Sequence, residues 1–244
     1  MVLRFYFTIL TLLLLSTAAY GKELLISAAM GTKEFVKTVG KEFQEKTGKR
    51  VVFNFSSSGR LINQIVQGAP SDVYISASKF WVDHGVKKGA LDGKTVKPFA
   101  ETSLVLVAPK NGKVKELTEA DRIAVGNRLA PVGKYAVQTL KSLGVYKKVK
   151  EKLVYSPNVR QITVWVMTGN ADLGLIYYSD YLKFKDKVKL IKVFPDNLHA
   201  PIRFYVACVK GGNESECRAF EKFLSTVPQS EYRKFGFKKV ENGS

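Results

Sequence analysis

The amino-acid sequence predicts an α/β fold of two lobes with a hinge between them, each lobe a mainly parallel sheet flanked by helices. Three observations predict it. Apolar runs of strand length alternate with stretches of helical periodicity along the chain. The alternation falls into two series with no low-complexity linker between them, so crossing strands rather than a tether join the halves. The first series runs strand, helix, strand, helix, strand, an order that builds a parallel sheet covered on both faces.

In the first series, Leu24-Leu25-Ile26-Ser27-Ala28 reads as a buried strand. Phe35, Val39 and Phe43 then recur four residues apart, the apolar stripe of a helix over residues 32–47. Val51-Val52-Phe53-Asn54-Phe55 is a second strand, and Leu61, Ile62, Ile65 and Val66 form a helical face stopped by Gly68 and Pro70. Val73-Tyr74-Ile75 is a third strand, followed by a helix over residues 79–88.

The second series opens with the strand Ser103-Leu104-Val105-Leu106-Val107-Ala108. A strand at residues 123–125, helices at 134–142 and 159–168, and strands at 173–177 and 188–194 follow. Arg203-Phe204-Tyr205-Val206-Ala207 is a further strand, and the tail is helical over 214–225 and again near Glu231. Crossings are expected near residues 99–103 and 200–203. Lobe 1 is then residues 22–99 completed by 203–244, and lobe 2 is residues 100–202. Two lobes that shut over a ligand form a known receptor architecture.

Residues 1–21 read as a secretory signal peptide. Arg4 supplies the positive start, residues 5–15 are apolar apart from Thr8 and Thr11, and Ala19 and Gly21 are the small residues of a cleavage site before Lys22. The run is shorter than the roughly 20 apolar residues of a spanning helix. No Cys follows it to take a lipid. The expectation is a soluble mature chain, free in a periplasm.

Export decides how the charge is read. A net charge of +18 from 39 basic residues invites a nucleic-acid partner, but export removes the chain from nucleic acid, and the lysines form no aromatic-interleaved stripe. A solvated basic surface that draws in anions is the reading that survives. Export also permits a disulfide between Cys208 and Cys217. The bridge and two buried free thiols both stay open. Two cysteines and two isolated histidines, His84 and His199, give no metal-ligand spacing.

No H-E-x-x-H, G-x-S-x-G or P-loop pattern occurs. What recurs is a small or Gly-rich turn between a strand and a helix. Ala28-Ala29-Met30-Gly31-Thr32 and Ser56-Ser57-Ser58-Gly59-Arg60 lie in the first half, and Ala130-Pro131-Val132-Gly133 and Pro157-Asn158-Val159-Arg160 in the second. Each presents unpaired N–H groups at a helix start, where the dipole favours an anion. Any one of them is an ordinary N-cap; the four together make a site only if two lobes bring them face to face.

The residues also carry a resemblance. Ser57-Ser58-Gly59-Arg60-Leu61, Gly68-Ala69-Pro70-Ser71-Asp72-Val73-Tyr74-Ile75-Ser76-Ala77, Leu104-Val105-Leu106-Val107-Ala108-Pro109-Lys110, Ala124-Val125-Gly126, Pro131-Val132-Gly133-Lys134-Tyr135-Ala136, Asn158-Val159-Arg160 and Leu173-Gly174-Leu175-Ile176-Tyr177-Tyr178-Ser179-Asp180 stand in order along the mature chain. In these the chain resembles the periplasmic molybdate-binding proteins of ABC molybdate importers. The resemblance implies a type II periplasmic binding fold, no enzyme activity and no cofactor. The ligand it implies is molybdate or tungstate, held between the lobes as its oxyanion. Partners would be an ABC permease and its ATPase at the inner membrane, with the receptor itself a monomer.

Carried over by position, the Ser58 hydroxyl and N–H, the backbone N–H groups of Val132 and Val159, and the Tyr177 hydroxyl would hold the anion, with no metal ligated directly. Met30 stands where the family usually has a Ser; its N–H can still donate, but a hydroxyl is lost, and Thr32 or Ser27 is the nearest replacement. That departure keeps open a receptor for another tetrahedral oxyanion, sulfate or phosphate. Two other classes compete. A secreted hydrolase would use Ser58 with His84 or His199 and needs a histidine within hydrogen-bond reach of Ser58. A basic adhesion protein would bind polyanions in a salt-sensitive way.

Overall fold

The computed structural model describes residues 23–240; the expected signal peptide, residues 1–21, lies outside them. In chain order the elements are β1 (Leu24–Ala29), α1 (Lys33–Thr47), β2 (Val51–Ser56), α2 (Ser58–Val66), β3 (Val73–Ser76), α3 (Lys79–Lys87) and β4 (Lys97–Glu101). Then come β5 (Leu104–Pro109), β6 (Ile123–Gly126), α4 (Pro131–Ser142), α5 (Tyr146–Val149), β7 (Leu153–Ser156), α6 (Val159–Met167), β8 (Leu173–Tyr177), α7 (Tyr178–Phe184) and β9 (Val188–Val193). The chain closes with β10 (Arg203–Cys208), α8 (Glu214–Thr226), α9 (Gln229–Lys234) and β11 (Lys238–Lys239).

These strands form two sheets, ordered β11-β4-β10-β3-β1-β2 and β7-β6-β8-β5-β9. Neither is mainly parallel as expected. β1 pairs in parallel with β2 and β3, but β10 runs antiparallel to both β3 and β4. In the second sheet β6 is parallel to β7 and β8, while β5 is antiparallel to β8 and β9. A parallel pair needs a crossover, usually a helix. β5 and β10 are reached instead from the other sheet, and they enter running the opposite way.

β4 stays in the first sheet to Glu101, and β5 begins the second at Leu104. The return falls between β9 and β10, and the two crossings meet where the Thr102 N–H donates to the Ile202 carbonyl at 3.2 Å. β4 and β7 carry no long apolar run: β4 holds Lys97 and Pro98, and β7 is a four-residue edge strand.

All four residues of β3 are buried, and α1 buries Phe35, Val36, Val39 and Phe43 against the first sheet. A fully buried Phe stabilises by about 1.5–3 kcal/mol relative to exposure. The C-terminal tail packs on the same core, with the Phe35 and Tyr232 rings 4.5 Å apart. Cys208 and Cys217 are bridged, which ties β10 to α8 and resolves the open choice in favour of the disulfide.

Candidate functional site

The four turns singled out in the sequence come together. Met30, Ser58, Val132, Val159 and Tyr177 all line one small cavity between the two sheets. Each arrives from the C-terminal end of a strand. Met30 follows β1 in a single 3₁₀ turn, Ser58 starts α2 just after β2, Val132 lies in the first turn of α4, Val159 starts α6, and Tyr177 ends β8. The cavity is small, with a volume of about 20 Å³. A larger hollow, about 590 Å³ beside α8, is lined by Phe99, Arg218 and Tyr232 among others and gathers none of these turns.

The chemistry of the cavity is that of neutral donors. The N–H groups of Ser58, Val132 and Val159 have no acceptor among the described residues, as expected in the first turn of a helix. The Ser58 hydroxyl oxygen accepts from the Ala77 N–H at 3.0 Å, which leaves its proton free to donate. The Tyr177 hydroxyl is buried and has no partner. Burial raises its pKa well above the ordinary value, with Tyr135 and Asp180 adding to the effect, so it is a fixed proton donor. No charged side chain lines the cavity.

Two glycines let these groups converge. A Cβ on Gly31 would stand 2.8 Å from the Tyr177 ring, so only glycine lets the first turn lie against it. A Cβ on Gly133 would meet the Gly126 carbonyl oxygen at 1.9 Å, so glycine is what seats the start of α4 on the end of β6. The walls are then stitched across the sheets. The Gly59 N–H donates to the Leu129 carbonyl at 3.0 Å, and the Tyr135 hydroxyl donates to the Ala77 carbonyl at 3.1 Å.

The model of the family described as bacterial extracellular solute-binding protein matches residues 24–238. The chain belongs to this family. Among its curated relatives, a molybdate-binding protein of Escherichia coli strain K12 is 33% identical over 225 residues, 87% of each chain. The solved periplasmic molybdate-binding protein of Azotobacter vinelandii superposes with a TM-score of 0.80 at 25% identity, covering 90% of this chain and 100% of that one. The substrate-binding domain of a putative molybdenum ABC transporter from Clostridium difficile does so with a TM-score of 0.69 at 35% identity, covering 90% and 99%.

As a solute-binding protein the chain does not need the enzyme alternative, and its geometry gives that alternative nothing. The partner of the Ser58 hydroxyl is a backbone N–H. His84 packs on Trp81, and His199 Nδ1 pairs with the Ala200 carbonyl. Neither Thr32 nor Ser27 replaces the hydroxyl missing at Met30. Thr32 donates to the Ala29 carbonyl at 2.8 Å, and the Ser27 hydroxyl accepts from Ser71 at 3.0 Å.

Ser57, which sequence reasoning passed over, does line the cavity. It is the N-cap of α2, yet its side chain makes no capping bond, so the Ser56-Ser57-Ser58 run brings a third hydroxyl-bearing residue to the cavity wall beside Ser58 and Tyr177. Asn158 also lines the cavity, but its side chain is committed to capping α6 by accepting from the Gln161 N–H at 3.0 Å.

Proposed function

We propose that this solute-binding protein captures molybdate or tungstate in the cavity between its sheets and hands it to an ABC permease and its ATPase. The observation that carries the reading is the Tyr177 hydroxyl, a buried donor without an acceptor, facing the same small space as the hydroxyls of Ser57 and Ser58 and three unpaired helix-start N–H groups. Leaving a buried polar group unpaired costs about 1–3 kcal/mol. A tetrahedral anion supplies acceptors in several directions at once. In turn, a buried dianion needs each oxygen satisfied, and hydrogen bonds to a charged acceptor are strong without a buried cation.

In this reading Ser58 donates from its hydroxyl and N–H, Val132 and Val159 from their N–H groups, Tyr177 from its hydroxyl, and Met30 through its backbone alone. Residues 22–99 with 203–244 form one lobe and residues 100–202 the other, and they close on the ligand about the crossings. Residues 1–21 direct the monomeric receptor to the periplasm and are removed, and the basic surface speeds anion arrival. Isothermal titration with molybdate, tungstate, sulfate and phosphate tests the assignment. Tight binding of the first two alone is expected. Sulfate or phosphate binding as tightly, which the missing hydroxyl at Met30 would favour, moves the assignment to that anion. Binding of none removes the reading.

A further inference from the structure

Beside the cavity the two lobes also meet through charge. Glu34 lies in the first turn of α1. Arg160 of α6 donates from Nη1 to Glu34 Oε1 at 3.3 Å, and Lys183 Nζ of α7 lies 3.8 Å from the other carboxylate oxygen. Arg160 is held from its own side as well. Its Nε donates to Asp180 Oδ1 at 3.0 Å, and its guanidinium sits 4.8 Å from the centre of the Phe184 ring. Next to them the Ser179 hydroxyl donates to the Gly31 carbonyl at 3.2 Å.

These residues follow the cavity wall in sequence. Glu34 comes one helical turn after Met30, Arg160 directly follows Val159, and Asp180 comes shortly after Tyr177. A force between Glu34 and Arg160 therefore acts on the same three segments that enclose the cavity. Arg160 is already pinned by Asp180 and Phe184, so little side-chain freedom is lost when Glu34 arrives, and the contact is charge-assisted.

We propose that Glu34 and Arg160 form a latch between the lobes that holds them shut over the bound anion and slows its release, with Asp180 positioning Arg160. The role presupposes the anion capture proposed above. Glu34 is a positioning residue, since it does not line the cavity.

The sign of its effect separates this role from simple electrostatics. A carboxylate near an anion site repels a dianion, so removing its charge should tighten binding or speed association. A latch predicts faster release.

The test is stopped-flow association and dissociation of molybdate and tungstate with wild type, Glu34→Gln, Glu34→Asp and the exposed control Glu45→Gln. Glu34→Gln should raise the dissociation rate about three- to tenfold, the range for a partly exposed ion pair with one fixed partner. The association rate should not fall, and the gap between variant and wild type should shrink at high salt. Glu34→Asp should lie between them, and Glu45→Gln should match wild type. An unchanged or slower dissociation rate in Glu34→Gln overturns the latch, as does an equal rise in the control.

If wild type binds none of the oxyanions, the function reading fails, and the latch is decided by small-angle scattering of the free proteins. A larger radius of gyration for Glu34→Gln then supports it, and an equal one overturns it.

Discussion

Replacing Tyr177 by Phe removes one oxygen and leaves the ring, whose contacts with Phe204 at 5.7 Å and Tyr135 at 6.5 Å between centres persist. The hydroxyl is buried and unpartnered. Without ligand, its loss therefore breaks no bond and relieves a desolvation cost of up to about 3 kcal/mol. With ligand, its loss removes a hydrogen bond to a charged acceptor, worth about 1.5–3 kcal/mol, or about 10- to 150-fold in Kd at 1.4 kcal/mol per decade. The two effects have opposite signs. Isothermal titration with molybdate should show the weakened Kd, and thermal unfolding of the ligand-free variant should show a Tm equal to or above that of wild type. A lower Tm with unchanged affinity would refute the reasoning, because it would mean that the hydroxyl serves the fold and not the anion.

Ser58→Ala should weaken oxyanion binding by about 1.5–3 kcal/mol in the same titration; an unchanged Kd takes the Ser58 hydroxyl out of the site. Gly31→Ala should push the Tyr177 ring, 2.8 Å from the new methyl, and cost about 1–3 kcal/mol in overpacking, read as a lower Tm together with a weaker Kd.

Asp180 should leave a mark on stability against pH. Burial raises its carboxyl to about 6, against the opposing pull of Arg160. A carboxyl whose folded pKa lies above its unfolded value contributes stability that is complete below about pH 4 and lost as pH rises through about 6. Urea unfolding of wild type and Asp180→Asn should therefore diverge across that window, with the difference growing toward pH 6 by on the order of 3 kcal/mol and then levelling. Reducing the Cys208–Cys217 bridge, whose half-cystines are 9 residues apart, should lower stability by about 2.5 kcal/mol on loop-closure grounds, measured by thermal unfolding with and without reductant.

Much of the fold was legible because its central strands are buried on both faces. β3 and β5 read as near-continuous apolar runs, as strands covered by helices do. The four-residue β7, the two-residue β11 and β4, which holds Lys97 and Pro98, gave no such run and were missed. The antiparallel placing of β5 and β10 was also invisible, since strand direction depends on which sheet the chain has just left. In the candidate site, Val132 and Val159 were legible as helix starts after small turns, a local property. Ser57 was not, because a serine before a helix reads as a cap; only the structure shows that it lines the cavity and makes no capping bond.

By itself the sequence determined the order and type of the main elements, the four strand-to-helix turns and the unpaired N–H groups they carry. These follow from propensity, periodicity and backbone geometry within a few residues. Tertiary structure alone decided that the four turns share one cavity, that the Tyr177 hydroxyl faces it unpaired, that Cys208 and Cys217 are bonded, and that Glu34 meets Arg160 across 126 residues of chain. Such contacts join positions distant in sequence, and nothing local sets them. They arise when two sheets, each burying its own apolar faces, are held at one distance by two crossing segments.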